Sequence, residues 1–254
     1  MNGLEFRKQF EFLTGNSPFP WQERLYREHF LEGGIPQACS LPTGLGKTCI
    51  VAVWLIALAD GAPVPRRLIY VVNRRTVVDQ TTVEVERYKS AIDSDPKLSA
   101  LKAQFESLRI STLRGLFADN GDWCEDPSRS AVICGTVDMI GSRLLFSGYG
   151  IGRAKRPLHA GFLGQDALLI HDEAHLEPAF QELIETIQKQ QRDHEPAVLW
   201  PKLQVMELTA TSKSKDPFIL DGKDYANSIV DRRLNATKQL HLHELADSKK
   251  PAKE

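Results

Sequence analysis

Residues 40–48 have the sequence SLPTGLGKT and connect a short apolar run, residues 37–41, with a longer one, residues 49–59. The first run is typical of a buried parallel strand, and the second is typical of a helix in a hydrophobic core. Gly44 and Gly46 allow the backbone between the runs to curl, so that several N–H groups converge where the helix begins. This arrangement predicts a phosphate-binding loop.

The residues of this loop have the chemistry that a nucleoside triphosphate requires. Lys47 supplies a point charge to the β- and γ-phosphates, and the Thr48 hydroxyl is a ligand for Mg²⁺. Leu41 stands where the commonest form of the motif, GxxxxGK[ST], has its first glycine, and a Gly-rich turn without a ligand is the alternative interpretation. The residues predicted to hold the phosphates are Thr43, Gly44, Leu45, Gly46, Lys47 and Thr48.

A second predicted site element is the apolar strand at residues 167–171, which is followed by Asp172 and Glu173. Ligands of an open α/β sheet bind at the carboxyl ends of its strands, so a sequence separation of 172 − 47 = 125 positions does not prevent Lys47 and Asp172 from meeting. We predict that Asp172 holds Mg²⁺ and that Glu173 polarises the attacking water. The alternative is an acidic surface turn. His171 precedes Asp172 as in metal-dependent phosphohydrolases, but the other histidines offer no matching ligands, and we interpret it as the end of the strand.

Apolar runs rich in Val, Ile and Leu alternate with helical patterns along most of the chain. This alternation predicts an α/β fold, a mostly parallel sheet with helices on both faces. The predicted strands are residues 37–41, 68–72, 109–112, 131–134, 167–171 and 204–208. The predicted helices are residues 4–13, 21–31, 47–60, 75–88, 137–146, 178–191 and 225–233. Two segments, residues 116–129 and the basic residues 147–157, interrupt the pattern.

Composition limits the class of protein. The chain has 32 Lys and Arg against 33 Asp and Glu, a formal charge of −1, which excludes a polycation that binds nucleic acid through bulk charge. The longest apolar run, residues 49–59, is much shorter than the ~20 residues of a membrane span, and the charged N-terminus is unlike a secretory signal. The four cysteines form no C-x-x-C pair. We therefore expect a cytoplasmic protein with reduced thiols and no membrane partner.

Several motifs follow one another in an order that resembles the superfamily 2 helicases. The resemblance covers residues 19 to about 212 and implies a first RecA-like domain with ATP-dependent helicase or ATPase activity, and with ATP and Mg²⁺ as cofactors. The motifs are FPWQ at 19–22 (Q motif), the phosphate loop (I), residues 70–80 (Ia), LRG at 113–115 (Ib), CGT at 134–136 (Ic), DEAH at 172–175 (II) and TAT at 209–211 (III).

The resemblance implies roles for further residues. Gln22 would hydrogen-bond the adenine edge, with Phe19 or Trp21 packed beside it. Coupling between the nucleotide and nucleic-acid sites is implied for His175, Thr209 and Thr211, and contacts to the DNA backbone for Arg75, Gln80, Arg114, Gly115 and Thr136. A solvated helix start is the alternative for Arg75, and an ordinary helix N-cap is the alternative for Thr136.

The basic segment combines Tyr149 with Arg153, Lys155 and Arg156, a composition suited to stacking and charge contacts with a single strand. A solvated loop is the alternative. FPWQ, LPTGLGKT, LRG and SGYG together are most similar to the signature helicase of type I CRISPR systems, especially subtype I-G. That resemblance implies a motor on single-stranded DNA that acts in antiviral interference and is recruited by an RNA-guided CRISPR surveillance complex. Members usually carry an HD-type nuclease, but only 18 residues precede Phe19, so no nuclease is expected in this chain.

The expected domain organisation is an N-terminal helix and turn at 1–18, the RecA-like domain at 19–212, and a connecting segment with a disordered tail at 213–254. A superfamily 2 motor needs a second RecA-like domain, whose arginines stabilise the transferring phosphoryl group. The 254 − 211 = 43 residues after Thr211 are too few for one, so we expect it in cis or in trans. We expect the chain alone to bind Mg·ATP weakly, to hydrolyse it poorly and not to unwind DNA. A split subunit, a truncated gene product and a piece of a longer protein all fit.

Two other functions fit the same motifs. The first is a different superfamily 2 motor, such as a DEAH-type RNA helicase or the motor subunit of a restriction enzyme. The second is a non-catalytic module that uses the phosphate loop as a nucleotide-dependent switch. Lys47, Asp172 and Glu173 are all present, which argues against a purely structural role.

Overall fold

The computed structural model of the chain contains one seven-stranded sheet in the order β3-β4-β2-β5-β6-β1-β7, and all of its strand pairs are parallel. The structure describes residues 3–94, 97, 101–102, 105, 108–114, 121–193, 201–212 and 214–236. The strands are β1 Ala38–Ser40, β2 Arg67–Val72, β3 Arg109–Leu113, β4 Ala131–Thr136, β5 Ala167–Asp172, β6 Leu203–Thr209 and β7 Phe218–Ile219. The predicted parallel α/β fold is confirmed.

Helices cover both faces of this sheet. They are α1 Gly3–Thr14, α2 Pro20–Leu25, α3 Ile50–Ala59, α4 Arg75–Ser94, α5 Val137–Leu144, α6 Arg156–Gly164, α7 Pro178–Asp193, α8 Gly222–Tyr225 and α9 Ser228–Leu234. A π-helical turn, Tyr26–Phe30, continues α2, and a 3₁₀ turn, Lys47–Cys49, precedes α3. Among the described residues, no helix combines the length and hydropathy needed to cross a membrane.

Side chains along the central strands point alternately to the two faces of the sheet, so the hydrophobic core forms a cluster on each face. In β2 every residue is buried, and successive side chains point to opposite sides of the sheet. Leu68 and Tyr70 pack in the cluster that contains the buried helix α3, whereas Ile69 and Val71 pack in the cluster that contains Phe180 of α7. Burial on both faces explains why these strands have continuous apolar sequences.

The structure differs from three of the predictions about where helices begin and end. The single helix predicted at 225–233 is two helices, because the Asn227 side chain accepts hydrogen bonds from the N–H groups of Ile229 and Val230 and starts a new helix there. The basic segment, predicted to be irregular, contains a 3₁₀ turn, Arg153–Lys155, and the start of α6, whose first turn includes a proline. Helix α4 extends beyond its predicted end to Ser94.

Strand β7 lies beyond residue 212, where we expect the RecA-like domain to end. It pairs with β1 through Cys39 and Phe218, so part of the 213–254 segment extends the same sheet. The alternating stretch and tail at 237–254 lie outside the described residues.

Candidate functional site

The phosphate-binding loop leads from the end of β1 to the turn Lys47–Cys49 at the carboxyl edge of the sheet. Gly44 and Gly46 have φ values of 82° and 71°, a left-handed conformation that side chains disfavour. Leu45 is fully buried, and Leu41 donates its N–H to the carbonyl of Thr209 on β6 at 2.9 Å. The loop therefore curls as the two glycines predict, and its apolar residues attach it to the core.

The lysine of the loop lies close to two carboxylates, at the last residue of β5 and at the residue after it. Lys47 Nζ is 3.4 Å from Glu173 Oε1 and 3.9 Å from Asp172 Oδ1, and the lysine side chain is only 8% exposed. Strand β6 separates β1 from β5, and all three strands end at the same edge of the sheet. The parallel topology thus brings together residues that are far apart in sequence. This cluster contains an ammonium group that can bind an anion and two carboxylates that can bind a cation.

Asp172 has a buried partner that sequence reasoning did not identify. The Tyr70 hydroxyl donates a 2.7 Å hydrogen bond to Asp172 Oδ2 and also lies close to the Thr48 side chain. Burial raises the pKa of the Asp172 carboxyl, while the bond from Tyr70 and the charge of Lys47 lower it. Tyr70 therefore lies beside both of the residues, Thr48 and Asp172, that are predicted to hold Mg²⁺. Its position in the apolar run of β2 gives no sequence signal of this contact.

The oxygen atoms at Thr48 and Asp172 fit Mg²⁺. This ion is usually bound by one or two protein oxygens together with substrate phosphates and waters. Within the described ranges, no group of three or more His, Cys, Asp or Glu could hold a metal ion as a closed protein cage. His171 is buried, with Nδ1 2.8 Å from Gln181 Oε1, and burial lowers its pKa. The histidine next to Asp172 thus has a structural partner rather than a metal-binding constellation.

Glu173 has an unusual backbone conformation. Its φ and ψ are 55° and 40°, in the left-handed region that residues other than glycine rarely occupy. The Glu173 N–H donates to Asp172 Oδ1 at 3.0 Å and fixes the sharp turn between the two acids. Backbone strain of this kind is concentrated at functional sites. Here it accompanies a half-exposed carboxylate that lies beside the Lys47 ammonium.

The three residues predicted to couple the two sites also lie together. His175 Nδ1 is 3.3 Å from Thr209 Oγ1 and 3.6 Å from Glu173 Oε2. Thr211 donates its N–H to Thr209 Oγ1 at 3.2 Å. A chain of polar contacts therefore runs from Glu173 to the end of β6.

The segment predicted to read adenine packs against the phosphate loop. Gln22 Nε2 donates to the Gly46 carbonyl at 3.2 Å, and Gln22 Oε1 accepts from the Phe19 N–H at 2.8 Å. Trp21 Nε1 donates to the Leu45 carbonyl at 3.2 Å. Both polar ends of Gln22 have protein partners in this arrangement, so the segment fixes the loop directly.

Four residues predicted to contact nucleic acid belong to neighbouring parts of the carboxyl edge. Arg75 and Gln80 are exposed on α4, which follows β2, and Arg114, just after β3, forms an ion pair with Asp79 of α4. Thr136 ends β4 and begins α5. Strands β3, β4 and β2 are adjacent in the sheet. Gly115 lies outside the described residues.

The basic residues Arg153, Lys155 and Arg156 are attached elsewhere. Arg156 Nε donates to the Ile151 carbonyl at 3.2 Å. The loop between α5 and α6 packs against the last turn of α5, since a Cβ added at Gly148 would meet both Ile151 of the loop and Arg143 of the helix. Thr136 lies at the opposite end of α5, in the N-cap position but without a capping hydrogen bond from its side chain. The structure therefore does not bring the basic segment together with the other predicted nucleic-acid contacts.

Substitution Tyr70→Phe is expected to lower the free energy of unfolding by about 1–2 kcal/mol, because it leaves a buried carboxylate oxygen without its donor. It also removes an interaction that lowers the pKa of Asp172, so Asp172 takes up a proton at a higher pH. On acidification, Mg·ATP binding should therefore be lost at a higher pH than in the unmodified chain. Urea unfolding at neutral pH and Mg·ATP titrations at decreasing pH measure the two effects. Tyr225→Phe, which changes an exposed tyrosine, is the control. Equal stability of both variants would contradict the first expectation.

A family model described as "Type III restriction enzyme, res subunit" matches residues 19–214, more than half of the chain. The chain belongs to this family. The match of the res subunit family begins at the Q-like segment and ends just beyond Thr211. Together with the fold, it identifies a superfamily 2 helicase-type RecA-like domain. No curated protein matches the sequence.

Solved structures similar to this res-family chain include DEAD-box helicases. Mss116, described as bound to ssRNA and UDP-BeF, superposes with a TM-score of 0.54 at 16% identity over 84% of this chain and 43% of that chain. Yeast Prp28 superposes with a TM-score of 0.49 at 16% identity over 82% of this chain and 44% of that chain. S. cerevisiae Dbp5 superposes with a TM-score of 0.48 at 16% identity over 85% of this chain and 49% of that chain. The likeness to Mss116 supports the RecA-like fold. The chain spans less than half the length of each of these structures.

Proposed function

We propose that the chain binds Mg·ATP and is the ATP-hydrolysing part of a DNA helicase motor. The main support for this proposal is the position of Lys47, whose ammonium lies close to Asp172 and Glu173. The loop beside it is curled by two glycines in the left-handed backbone conformation. A lysine, a magnesium-binding carboxylate and a water-polarising carboxylate are the parts that phosphoryl transfer to water requires.

In this proposal each residue has one task. Bound Mg²⁺ would neutralise charge on the β- and γ-phosphates, and Thr48 and Asp172 would hold it. Lys47 would exchange its contact with Glu173 for the phosphate oxygens. Glu173, released from the lysine, would orient water and accept its proton. Tyr70 would keep the Asp172 carboxylate in place.

We propose that a second RecA-like domain, in cis or in trans, completes the motor. Support comes from the solved helicases, because the chain corresponds to less than half of their length. Arginines from such a domain are worth about 10³ to 10⁵ in rate in related nucleotide hydrolases. The division into 1–18, 19–212 and 213–254 is part of this proposal, with strand β7 as an extension of the central domain. Hydrolysis by the chain alone should therefore be slow.

We propose single-stranded DNA as the nucleic-acid partner. Support comes from Arg75, Arg114 and Thr136 near the carboxyl ends of three adjacent strands, where a strand can pass along the sheet edge. The polar contacts from Glu173 through His175 to Thr209 would transmit the state of the nucleotide to this edge. Gln80 and Gly115 are further proposed contacts at this edge, and the basic residues Arg153, Lys155 and Arg156 are proposed contacts at the other end of α5.

The biological role that we propose is CRISPR-associated antiviral interference, with recruitment by an RNA-guided surveillance complex. It rests on the combination FPWQ, LPTGLGKT, LRG and SGYG. The family match supports a second proposal, a DNA motor of a restriction system. An R-loop held by an RNA-guided complex distinguishes the two: the interference motor binds the displaced strand better in the complex than alone, and the restriction motor does not.

Nucleic-acid binding tests the choice of partner. In the presence of Mg²⁺ and a non-hydrolysable ATP analogue, the chain is expected to bind labelled single-stranded DNA more tightly than RNA or duplex DNA of equal length. Arg114→Ala should weaken this binding and reduce the slope of log affinity against log salt by about 0.7, the value for one phosphate contact to a single strand. Fluorescence anisotropy over a salt series measures both. A preference for RNA would favour an RNA helicase instead.

A further inference from the structure

The segment after β6 is built into the domain on the side of the phosphate loop. Strand β7 pairs with β1, the strand that leads into the loop. Arg24 of α2 forms ion pairs with Asp221 at 3.1 Å and with the fully buried Asp224 at 3.2 Å, and its guanidinium lies 4.2 Å from the centroid of the Phe218 ring. These contacts fix the direction in which the chain enters α8 and α9.

Helix α9 places one arginine over the nucleotide site. Val230 is fully buried and Leu234 packs against the core, so the helix cannot rotate freely. Arg233, between them in sequence and exposed, donates from Nη1 to the Gly44 carbonyl at 2.6 Å. Its guanidinium carbon lies 5.2 Å from the centroid of the Phe19 ring. Arg233 thus contacts both the phosphate loop and the aromatic ring that the sequence associates with adenine.

The chemistry of the guanidinium suits a purine base. It is planar, it stacks on aromatic faces, and it keeps its charge at all relevant pH values. A purine base beside the Phe19 ring would face the flat guanidinium of Arg233. The Arg233 side chain has four rotatable bonds and can move to make room for the base. Because Arg233 is exposed, its contacts add little to folding stability.

We propose that Arg233 is a nucleotide-binding residue that covers the purine base, so that the base lies between the Arg233 guanidinium and the Phe19 ring. The inference rests on the nucleotide-binding function proposed above and adds a residue beyond the motifs that suggested it. Two other roles would use the same contacts: ordering of the phosphate loop through the Gly44 carbonyl, and attraction of the phosphates by charge alone. A ligand without a base separates these roles.

The test compares ATP with inorganic tripolyphosphate, both with Mg²⁺, by calorimetric titration of the full chain. Arg233→Ala is expected to weaken ATP binding about tenfold, in the range of a desolvated cation–π contact, and to leave tripolyphosphate binding unchanged. Arg233→Lys should remain weakened, because the ammonium lacks a flat face. Arg232→Ala, which removes the neighbouring exposed arginine of α9, is the matched control and should bind like the unmodified chain.

Each other result overturns the inference in a distinct way. An equal loss for ATP and tripolyphosphate would assign Arg233 to ordering of the loop, and full rescue by Arg233→Lys would assign it to charge. Unchanged or tighter ATP binding by Arg233→Ala would remove Arg233 from base binding while the phosphate site stands. If the unmodified chain binds neither ligand, the proposed nucleotide-binding function fails, and the role of Arg233 fails with it.

Discussion

Substitution Glu173→Gln is expected to lower the rate of ATP hydrolysis by about 10²- to 10⁴-fold, the usual contribution of a general base, and to leave Mg·ATP binding nearly intact. The amide keeps the size of the side chain but cannot accept the proton of the attacking water. It also removes the carboxylate that lies 3.4 Å from Lys47 Nζ, so the lysine stays free for the phosphates. Single-turnover hydrolysis with excess protein measures the chemical step even when turnover is slow.

Glu182→Gln provides the matched control for this substitution. Glu182 is an exposed residue of α7, and its replacement makes the same change of charge away from the loop. It should hydrolyse ATP like the unmodified chain. Equal rates for Glu173→Gln and Glu182→Gln would show that Glu173 does not act as the base.

Substitution Lys47→Ala is expected to weaken Mg·ATP binding by about 10²-fold or more. Truncating one partner of a buried, hydrogen-bonded charge pair typically costs 2–5 kcal/mol. The loss also leaves Asp172 and Glu173 without a nearby cation, so the site would repel the triphosphate. Calorimetric titration measures the affinity, with Lys189→Ala, an exposed lysine of α7, as the control. Binding by Lys47→Ala at the unmodified affinity would place the nucleotide elsewhere.

The sequence was most informative where local pattern and topology coincide. The glycines at 44 and 46, the lysine after them and the acids after an apolar strand predict a loop and a carboxylate pair, and a parallel sheet brings such elements to one edge. The sheet itself was predictable because strands such as β2 and β5 are buried on both faces and have continuous apolar sequences.

Contacts between distant parts of the chain could not be predicted in the same way. Tyr70 looks like one more core residue of an apolar strand, and its bond to Asp172 depends on the register Tyr70↔Ile170 between β2 and β5. Arg233 lies beyond the recognised motifs, and its contact with Gly44 depends on how the pairing of β7 with β1 and the ion pairs of Arg24 position the segment after β6. Neither contact has a fixed spacing in sequence.

Helix boundaries were predicted less well, because a side chain that caps a new helix competes with the continuation of the preceding helix. Asn227 interrupts what periodicity suggests is one helix, because its carboxamide accepts from the backbone ahead of it. Helix α6 was not predicted because the glycines and basic residues at 148–156 resemble a loop, although the proline in its first turn is a helix-start signal.

We expect Mg·ATP to bind between the phosphate loop and the carboxylates of Asp172 and Glu173. A crystal structure of the chain with Mg²⁺ and a non-hydrolysable ATP analogue tests it most directly. We expect the triphosphate in the loop, its terminal phosphate at Lys47 Nζ, and Mg²⁺ coordinated by Thr48 and Asp172. An analogue bound away from this loop, or crystals without the analogue at millimolar concentration, would contradict the claim.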